Sequence, residues 1–194
     1  MAITPADIKK LRDHTGAGMM DAKAALEEAK GDETKAIDVL RKKGQSKAAK
    51  RADRSADAGL IDSYIHMGRV GSMVEINCET DFVAKTDEFK TFVKDVTMQI
   101  AATNPEYLSS DDVPKEVIDK EKDIYSSELK DKPKDVQDKI ISGKLEKFYE
   151  QVCLYNQPFI KDSDKTIAAY QTELIAKMGE NIKIKRFARM ELGE

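Results

Sequence analysis

Residues 60–78 read LIDSYIHMGRVGSMVEINC, and the pattern of this stretch decides the fold. Its side chains alternate between apolar and polar on both sides of the glycine-containing turn HMGRVG. Alternation with a period of two is typical of strands with one buried face, so two such runs joined by a turn predict a β-hairpin. In the second run, one face carries Met73, Glu75 and Asn77, and the other carries Val74, Ile76 and Cys78.

The chain before the hairpin has helical periodicity and predicts a bundle of three short helices. Thr4 followed by Pro5 is a start signal, because a hydroxyl cap precedes proline at the first helical position. Asp32 is placed to cap the third helix, and Gly44 is expected to end it. Three helices in so few residues make a thin core, which favours a docking module over a catalyst.

A basic segment follows the bundle. Residues 41–54, RKKGQSKAAKRADR, hold seven Lys or Arg and one Asp, a local charge of +6. We interpret this segment as a charged helical linker with a solvated face. Nucleic-acid contact is the alternative, and the lack of interleaved aromatic side chains weakens it.

Helices dominate the chain after the hairpin. Residues 86–102 have apolar side chains at helical spacing, and Asn104-Pro105 ends that helix. The charged segment 114–150 carries two narrow apolar stripes, which predict an antiparallel helical hairpin protruding from the core. The remaining predictions are a loop at NQPFIKD (156–162), a helix at 166–178, and a third strand in NIKIKRFARMEL (181–192).

These elements together predict an α+β protein of two domains. Residues 1–50 form a helical domain, and residues 51–194 form a core domain with a small three-stranded antiparallel sheet packed by helices.

Composition limits the possible functions. The net charge of −3 predicts no general attraction to nucleic acid or to an anionic membrane. The N-terminus lacks a signal peptide, and two cysteines without metal-ligand spacing indicate a cytosolic protein with reduced thiols. No phosphate-binding loop, dinucleotide fingerprint or zinc-protease motif occurs, so we expect neither an enzyme nor a bound cofactor or metal. TGAG at 15–18 is glycine-rich, but no strand precedes it, so phosphate binding is poorly supported.

The segment INCETDFVAKTDEF, residues 76–89, places the aromatic Phe82 in a short polar connection between a strand and a helix. Composition favours a side chain that folds back into the core. The alternative is an exposed anchor for a partner, since a rigid turn with one exposed aromatic residue is how an interface hot spot is built. Cys78 ends an apolar strand face, which favours a buried, inert thiol over a nucleophile.

Two long motifs carry a resemblance to a known family. LRDHTGAGMMDAKAALEEAKGD (11–32) and EINCETDFVAKTDEF (75–89) together resemble the elongation factor Ts family, the nucleotide exchange factors of the GTPase elongation factor Tu. The match extends to QPFIKD and to the ending GENIKIKRFARMELGE, and therefore covers essentially the whole chain. The length is similar to that of short members, which have a single α+β core module.

The resemblance implies the roles of particular residues. The N-terminal helices would form a ubiquitin-associated-like bundle that docks on the GTPase domain of elongation factor Tu. The TDFV motif would enter a groove between helices of that domain and dislodge the nucleotide's Mg²⁺, so that GDP leaves and GTP replaces it. The docking residues are Leu11, Arg12, Thr15, Gly16, Ala17, Gly18, Met19 and Met20, and the motif residues are Thr80, Asp81, Phe82 and Val83.

The family also implies an oligomeric state. Short members act as homodimers through the core module, with two elongation factor Tu molecules per dimer and no nucleic acid or membrane. His66 matches a family position that can make a second contact with elongation factor Tu; a hairpin histidine without that role is the alternative. A competing class is an RNA-binding, ribosome-associated protein that uses the basic segment 41–54.

Overall fold

The computed structural model describes residues 3–129 and 133–194. Two parts of the predicted domains lie outside the described residues: residues 130–132 of the helical hairpin and the first two residues of the helical domain. The elements are α1 (Pro5–Thr15), α2 (Met19–Glu28), α3 (Glu33–Ala49), β1 (Ala58–His66), β2 (Val70–Cys78), α4 (Asp81–Ala84), α5 (Asp87–Thr103), α6 (Lys115–Ser127), α7 (Lys134–Val152), β3 (Pro158–Phe159), β4 (Asp162–Thr166), α8 (Ile167–Met178) and β5 (Ile182–Glu191), with short 3-10 helices at Ser110–Asp112 and Leu154–Asn156.

Polar side chains cap α1 and α3 at the residues that the sequence predicts. The Thr4 hydroxyl accepts a hydrogen bond from the Asp7 backbone N–H, and the Asp7 carboxylate accepts from the Thr4 N–H, which completes a capping box. Asp32 caps α3 through the Lys35 N–H. The three helices enclose a small apolar core of Leu11, Ala22, Ala25, Leu26, Ala29 and Ala36.

The predicted end of the third helix is wrong. The helix continues through Gly44 to Ala49, so the first part of the basic segment is helical. Gly44 is buried because α8 passes close to it: a Cβ at this position would lie 3.6 Å from the Ala176 side chain and 3.9 Å from that of Thr172. This glycine therefore allows a close helix approach and does not end the helix.

The main sheet has the order β1-β2-β5, so the C-terminal strand pairs with the predicted hairpin. Met67 and Gly68 form the hairpin turn with positive φ, and the Arg69 N–H donates to the His66 carbonyl at 2.9 Å. Two consecutive positive φ values are typical of a type I′ turn, whose twist matches that of the strands. The buried face of β2 is the predicted one, with Val74, Ile76 and Cys78 inaccessible to solvent.

The segment NQPFIKD, predicted as a loop, contains the short strand β3 and the first residue of β4, and these two strands pair antiparallel. A buried amide holds this segment against α5: the Gln99 side chain donates to the Pro158 carbonyl at 3.1 Å and accepts from the Ile160 N–H at 2.8 Å. Gln99 is completely buried, so these hydrogen bonds satisfy it. A two-residue strand is too short for its periodicity to be recognised in the sequence.

The segments that carry the two narrow stripes form α6 and α7, which pack on each other. Neither helix has a fully buried residue. This low burial agrees with the narrow apolar stripes of the sequence.

The chain divides into two compact units. The first contains the described part of Met1–Leu60 together with Ile76–Phe92 and Gln171–Lys183, and the second contains Ile61–Glu75, Val93–Tyr170 and Ile184–Glu194. The domain boundary near residue 50 stays a prediction, because packing density does not say which part of a chain folds alone.

Candidate interaction site

The TDFV motif lies at the turn between β2 and α5, where it forms the one-turn helix α4. Val83 and Ala84 point into the protein, whereas Asp81 is exposed and Phe82 leaves 86% of its surface in solvent. The core interpretation of Phe82 is therefore wrong, and its side chain is free to contact another molecule. An exposed aromatic side chain on a turn that is held at both ends is the kind of residue that forms an interface hot spot.

Hydrogen bonds from a distant segment fix the start of this turn. The Thr80 N–H donates to Glu180 Oε2 at 3.0 Å, and Thr80 Oγ1 donates to Glu180 Oε1 at 2.7 Å. Thr80 Oγ1 also accepts from the Val83 N–H at 3.5 Å, so Thr80 caps α4. Glu180 follows α8 and precedes β5.

The neighbouring residues repeat this pairing. The Glu79 carboxylate accepts from the Asn181 N–H at 2.6 Å and forms an ion pair with Arg54 at 3.4 Å. The buried Asn181 amide donates to the carbonyls of Ala52, at 3.3 Å, and Arg54, at 2.8 Å. Residues 79–80 and 180–181 therefore hold each other in place.

The end of the turn is equally fixed. Thr86 Oγ1 donates to the Val83 carbonyl at 2.7 Å and accepts from the Phe89 N–H at 3.3 Å, which caps α5. Phe89 and Phe92 are fully buried and anchor α5. Because both ends are held, the exposed Phe82 is carried by a rigid turn.

Cys78 lies beneath the motif as a buried thiol whose Sγ donates to the Thr80 carbonyl at 3.2 Å. Burial and the nearby charge of Glu180 raise the pKa of this thiol to about 11. A thiol with so high a pKa is protonated at neutral pH and is a poor nucleophile, which favours the inert-thiol interpretation. The predicted burial of Cys78 is confirmed.

The predicted docking residues surround the connection between α1 and α2. Leu11 is fully buried and supports the surface from the core, whereas Arg12, Gly16 and Gly18 are exposed. Thr15 and Ala17 are half-buried, and Met19 and Met20 expose 60% and 77% of their surfaces.

Local hydrogen bonds shape this connection. Thr15 Oγ1 donates to the Leu11 carbonyl at 2.7 Å and accepts from the Ala17 N–H at 3.4 Å. The Gly16 N–H donates to the Arg12 carbonyl at 2.8 Å, and Gly16 has a φ of 68°, which ends α1 in the left-handed region.

The docking connection and the TDFV motif belong to the same compact unit. The last turn of α8 approaches both: a Cβ on Gly16 would lie 3.8 Å from Lys177, and the Lys177 ammonium pairs with Glu88 of α5 at 3.2 Å. The two predicted contact regions therefore share one packed body.

His66 is exposed at the end of β1, in the second compact unit. Its Nδ1 lies 3.0 Å from the Tyr64 hydroxyl, which restrains the ring. Its role as a second contact stays a prediction.

Half of the basic segment's charge is neutralised within the chain. Lys43 pairs with Glu28, Lys47 with Asp21, and Arg54 with Glu79. These pairs favour the solvated-face interpretation of residues 41–54 over nucleic-acid contact.

Within residues 3–129 and 133–194, no group of three His, Cys, Asp or Glu side chains is arranged to hold a metal ion. In the same part of the chain, no helix combines the length and the apolar character needed to cross a bilayer.

Comparison with known families agrees with this arrangement. A model of the family described as Elongation factor TS matches residues 8–194. The chain belongs to the elongation factor Ts family. It is 55% identical over 195 residues to elongation factor Ts of Thermodesulfovibrio yellowstonii, covering 100% of this chain and 98% of the relative. For the relative of the same name from Carboxydothermus hydrogenoformans, the identity is 57% over 195 residues, covering 99% of this chain and 90% of the relative.

Membership identifies the chain as a nucleotide exchange factor for elongation factor Tu, and not as an enzyme. The α+β architecture, with three N-terminal helices and a three-stranded antiparallel sheet, is that of the family. Sequence reasoning missed Glu180 and Asn181, although both lie within the GENIKIKRF ending that carries part of the resemblance.

Proposed function

We propose that Phe82 is the wedge of the exchange reaction and enters a groove between helices of the GTPase domain of elongation factor Tu. Its exposure at a rigid turn is the observation that carries this proposal. A rigid anchor loses little conformational entropy on binding, so most of its contact energy is available to displace a helix of the partner. Asp81, exposed beside it, is the polar partner of the wedge.

The α1–α2 connection docks on the same GTPase domain and sets the affinity. Met19 and Met20 supply adaptable apolar contacts, and Arg12, Gly16 and Gly18 leave the backbone accessible. The docking surface and Phe82 belong to one compact unit. The free energy gained when the docking surface binds can therefore hold Phe82 against the partner.

Displacement of the partner's helix removes groups that support the nucleotide's Mg²⁺. Loss of that ion removes a large favourable interaction with the β-phosphate, and GDP leaves faster. The effect is reciprocal: the factor lowers GDP affinity by the same ratio by which GDP lowers the factor's affinity. A coupling of about 3 kcal/mol corresponds to roughly 150-fold.

The chain acts as a homodimer that binds two elongation factor Tu molecules. Support comes from the outer face of the sheet in the second compact unit, which exposes Ile61, Ile65, Met73 and Met190. An apolar face of this kind on a small sheet requires a cover, and a two-fold copy is the commonest closed solution.

The cytoplasm is the compartment that this partner implies, and two free, buried cysteines fit a reducing environment. The competing RNA-binding class is distinguished by salt. Phosphate-driven binding weakens steeply with salt concentration, whereas docking of apolar Phe82 and the two methionines on a protein should weaken only modestly.

Replacement of Phe82 tests the wedge. Phe82→Ala should reduce the stimulated rate of GDP release by about 30- to 800-fold, the equivalent of the ~2–4 kcal/mol of a hot-spot aromatic. Ile124→Ala on α6 is the matched control, since it also shortens a partly exposed apolar side chain and should leave the rate unchanged. Equal rates for wild type and Phe82→Ala would contradict the proposal, as would a large drop in melting temperature, because an exposed side chain contributes little to folding.

A further inference from the structure

Within residues 3–129 and 133–194, Thr4 and Ser109 each begin a helical turn with a capping box of the ordinary local kind. The Thr4 N–H of α1 donates to Asp7 at 2.9 Å, and the Ser109 N–H of the first 3-10 helix donates to Asp112 at 2.9 Å. In each case the acceptor is the acid three residues after the cap.

The motif helix α4 departs from this arrangement. Thr80 is its cap, but the residue three positions later is Val83, which is buried and has no side-chain acceptor. The carboxylate of Glu180, 100 residues further along the chain, takes the acceptor's place and binds both the N–H and the hydroxyl of Thr80.

We propose that Glu180 is a positioning residue for the exchange motif. It supplies the carboxylate that a capping box normally takes from its own helix, and it thereby fixes the direction in which Phe82 points. The inference rests on the proposed function of Phe82 as a wedge, and it adds a residue that acts through Thr80 without contacting the partner.

The constraints on the motif explain why the acid comes from elsewhere. Val83 has to be apolar because it anchors the turn to the core, and Phe82 has to face outward. A four-residue helix has no stability of its own, because nucleation is unfavourable and no later turns compensate for it. A distant carboxylate therefore stabilises the turn without changing the residues that anchor it or contact the partner.

The adjacent contact between Glu79 and Asn181 is a second tie between the same segments. Removal of the Glu180 carboxylate consequently frees the start of α4 while the segments stay together. The protein should therefore remain folded with a less restrained Phe82.

The kinetic test uses the full-length chain and elongation factor Tu loaded with fluorescent GDP. Glu180→Ala should lower the plateau rate of stimulated release about 3- to 30-fold, the range expected for a lost helix cap. The concentration that gives half the plateau should not change, because the docking surface is intact. Glu180→Gln keeps one acceptor oxygen and should restore part of the rate.

Asp112→Ala is the matched control, since it removes a local capping box in the other compact unit. It should lower the melting temperature slightly and leave the plateau rate unchanged. If Asp112→Ala lowers the plateau as much as Glu180→Ala does, general destabilisation explains the effect and the inference is overturned.

A second measurement does not depend on exchange activity. The chain has no tryptophan, so Phe82→Trp introduces a single probe at the motif. In this background, Glu180→Ala should increase the amplitude of the fast local component in time-resolved fluorescence anisotropy, and Asp112→Ala should not. An unchanged local amplitude overturns the inference whatever the kinetics show.

The kinetic and the anisotropy measurements distinguish a failure of this inference from a failure of the proposed function. If Phe82→Ala exchanges like wild type, the wedge fails, whereas increased local motion in the Glu180→Ala background still supports positioning by Glu180. If Glu180→Ala does not fold, Glu180→Gln replaces it in the kinetic and the anisotropy measurements. An intermediate plateau rate with intermediate local motion of the probe supports the inference. A plateau rate and a local motion equal to those of the wild type overturn it.

Discussion

A lysine in the centre of the exposed sheet face should separate the proposed homodimer. Met73 lies on β2, the central strand of the order β1-β2-β5, and exposes 53% of its surface in the isolated chain. Arg189 on β5 donates to the Ala101 carbonyl of α5, so the next side chain, Met190, points to the same outer face as Met73. The neighbouring ion pair between Glu75 and Arg186 marks the polar part of that face.

The magnitude follows from burial and symmetry. A methionine side chain that is half exposed in the monomer and becomes buried in the interface contributes about 1 kcal/mol, and a two-fold axis counts each substitution twice. Met73→Lys should therefore weaken the dimer by at least about 2 kcal/mol, or roughly 30-fold, before the cost of removing the ammonium from water is added. The monomer should keep its stability within about 0.5 kcal/mol, because the site is already half in solvent.

Sedimentation velocity over a dilution series measures this effect. The wild-type chain should be dimeric at tens of micromolar, and Met73→Lys should be monomeric at the same concentration with an unchanged circular dichroism spectrum. Val136→Lys on α7 is the control, since it adds the same charge at a partly exposed apolar position outside the sheet. A Met73→Lys chain that stays dimeric, or a wild type that is monomeric with full exchange activity, would contradict the proposed interface.

Four further results are expected. The double variant Met19→Ala, Met20→Ala should raise the concentration for half-maximal GDP release about 10- to 100-fold, because both side chains contact the partner in docking. The plateau rate should not change. A lowered plateau at unchanged affinity would instead assign both side chains to the wedge. Deletion of residues 1–50 should weaken docking and lower the melting temperature, because α3 packs on α8 at Gly44, and loss of cooperative unfolding would contradict the domain boundary. Burial raises the pKa of both Cys78 and Cys153 to about 11, so both thiols should react slowly with a disulfide reagent at pH 8. Folding raises the pKa of each thiol from 9.0, so the folded state favours the protonated form more than the unfolded state does. The free energy of unfolding should therefore be at its full value below pH 9 and should fall as the pH rises toward 11. Denaturant titrations at several pH values will measure this fall.

Periodicity was sufficient to predict the main sheet and α5. The alternation at residues 60–78 and the helical spacing at 86–102 each reflect one buried face, which is a local property of the sequence. Gly44 shows the limit of local reasoning: a glycine that ends a helix and a glycine that admits a neighbouring helix are identical in sequence, and only the position of α8 separates them.

The site was predictable in part. The resemblance points to TDFV, but the hydrogen bonds that hold Thr80 come from a residue 100 positions away. No local pattern contains that contact. Glu180 appeared only as one acid among many in a chain with 36 Asp and Glu residues, so its role required the three-dimensional arrangement.

The most direct test of the exchange mechanism is the rate of fluorescent GDP release from elongation factor Tu, measured by stopped flow against increasing concentrations of the full-length chain. The wedge mechanism predicts a rate that rises with concentration to a plateau well above the spontaneous rate, because docking saturates and insertion of Phe82 then limits release. A rate that stays at the spontaneous value at every concentration would contradict it.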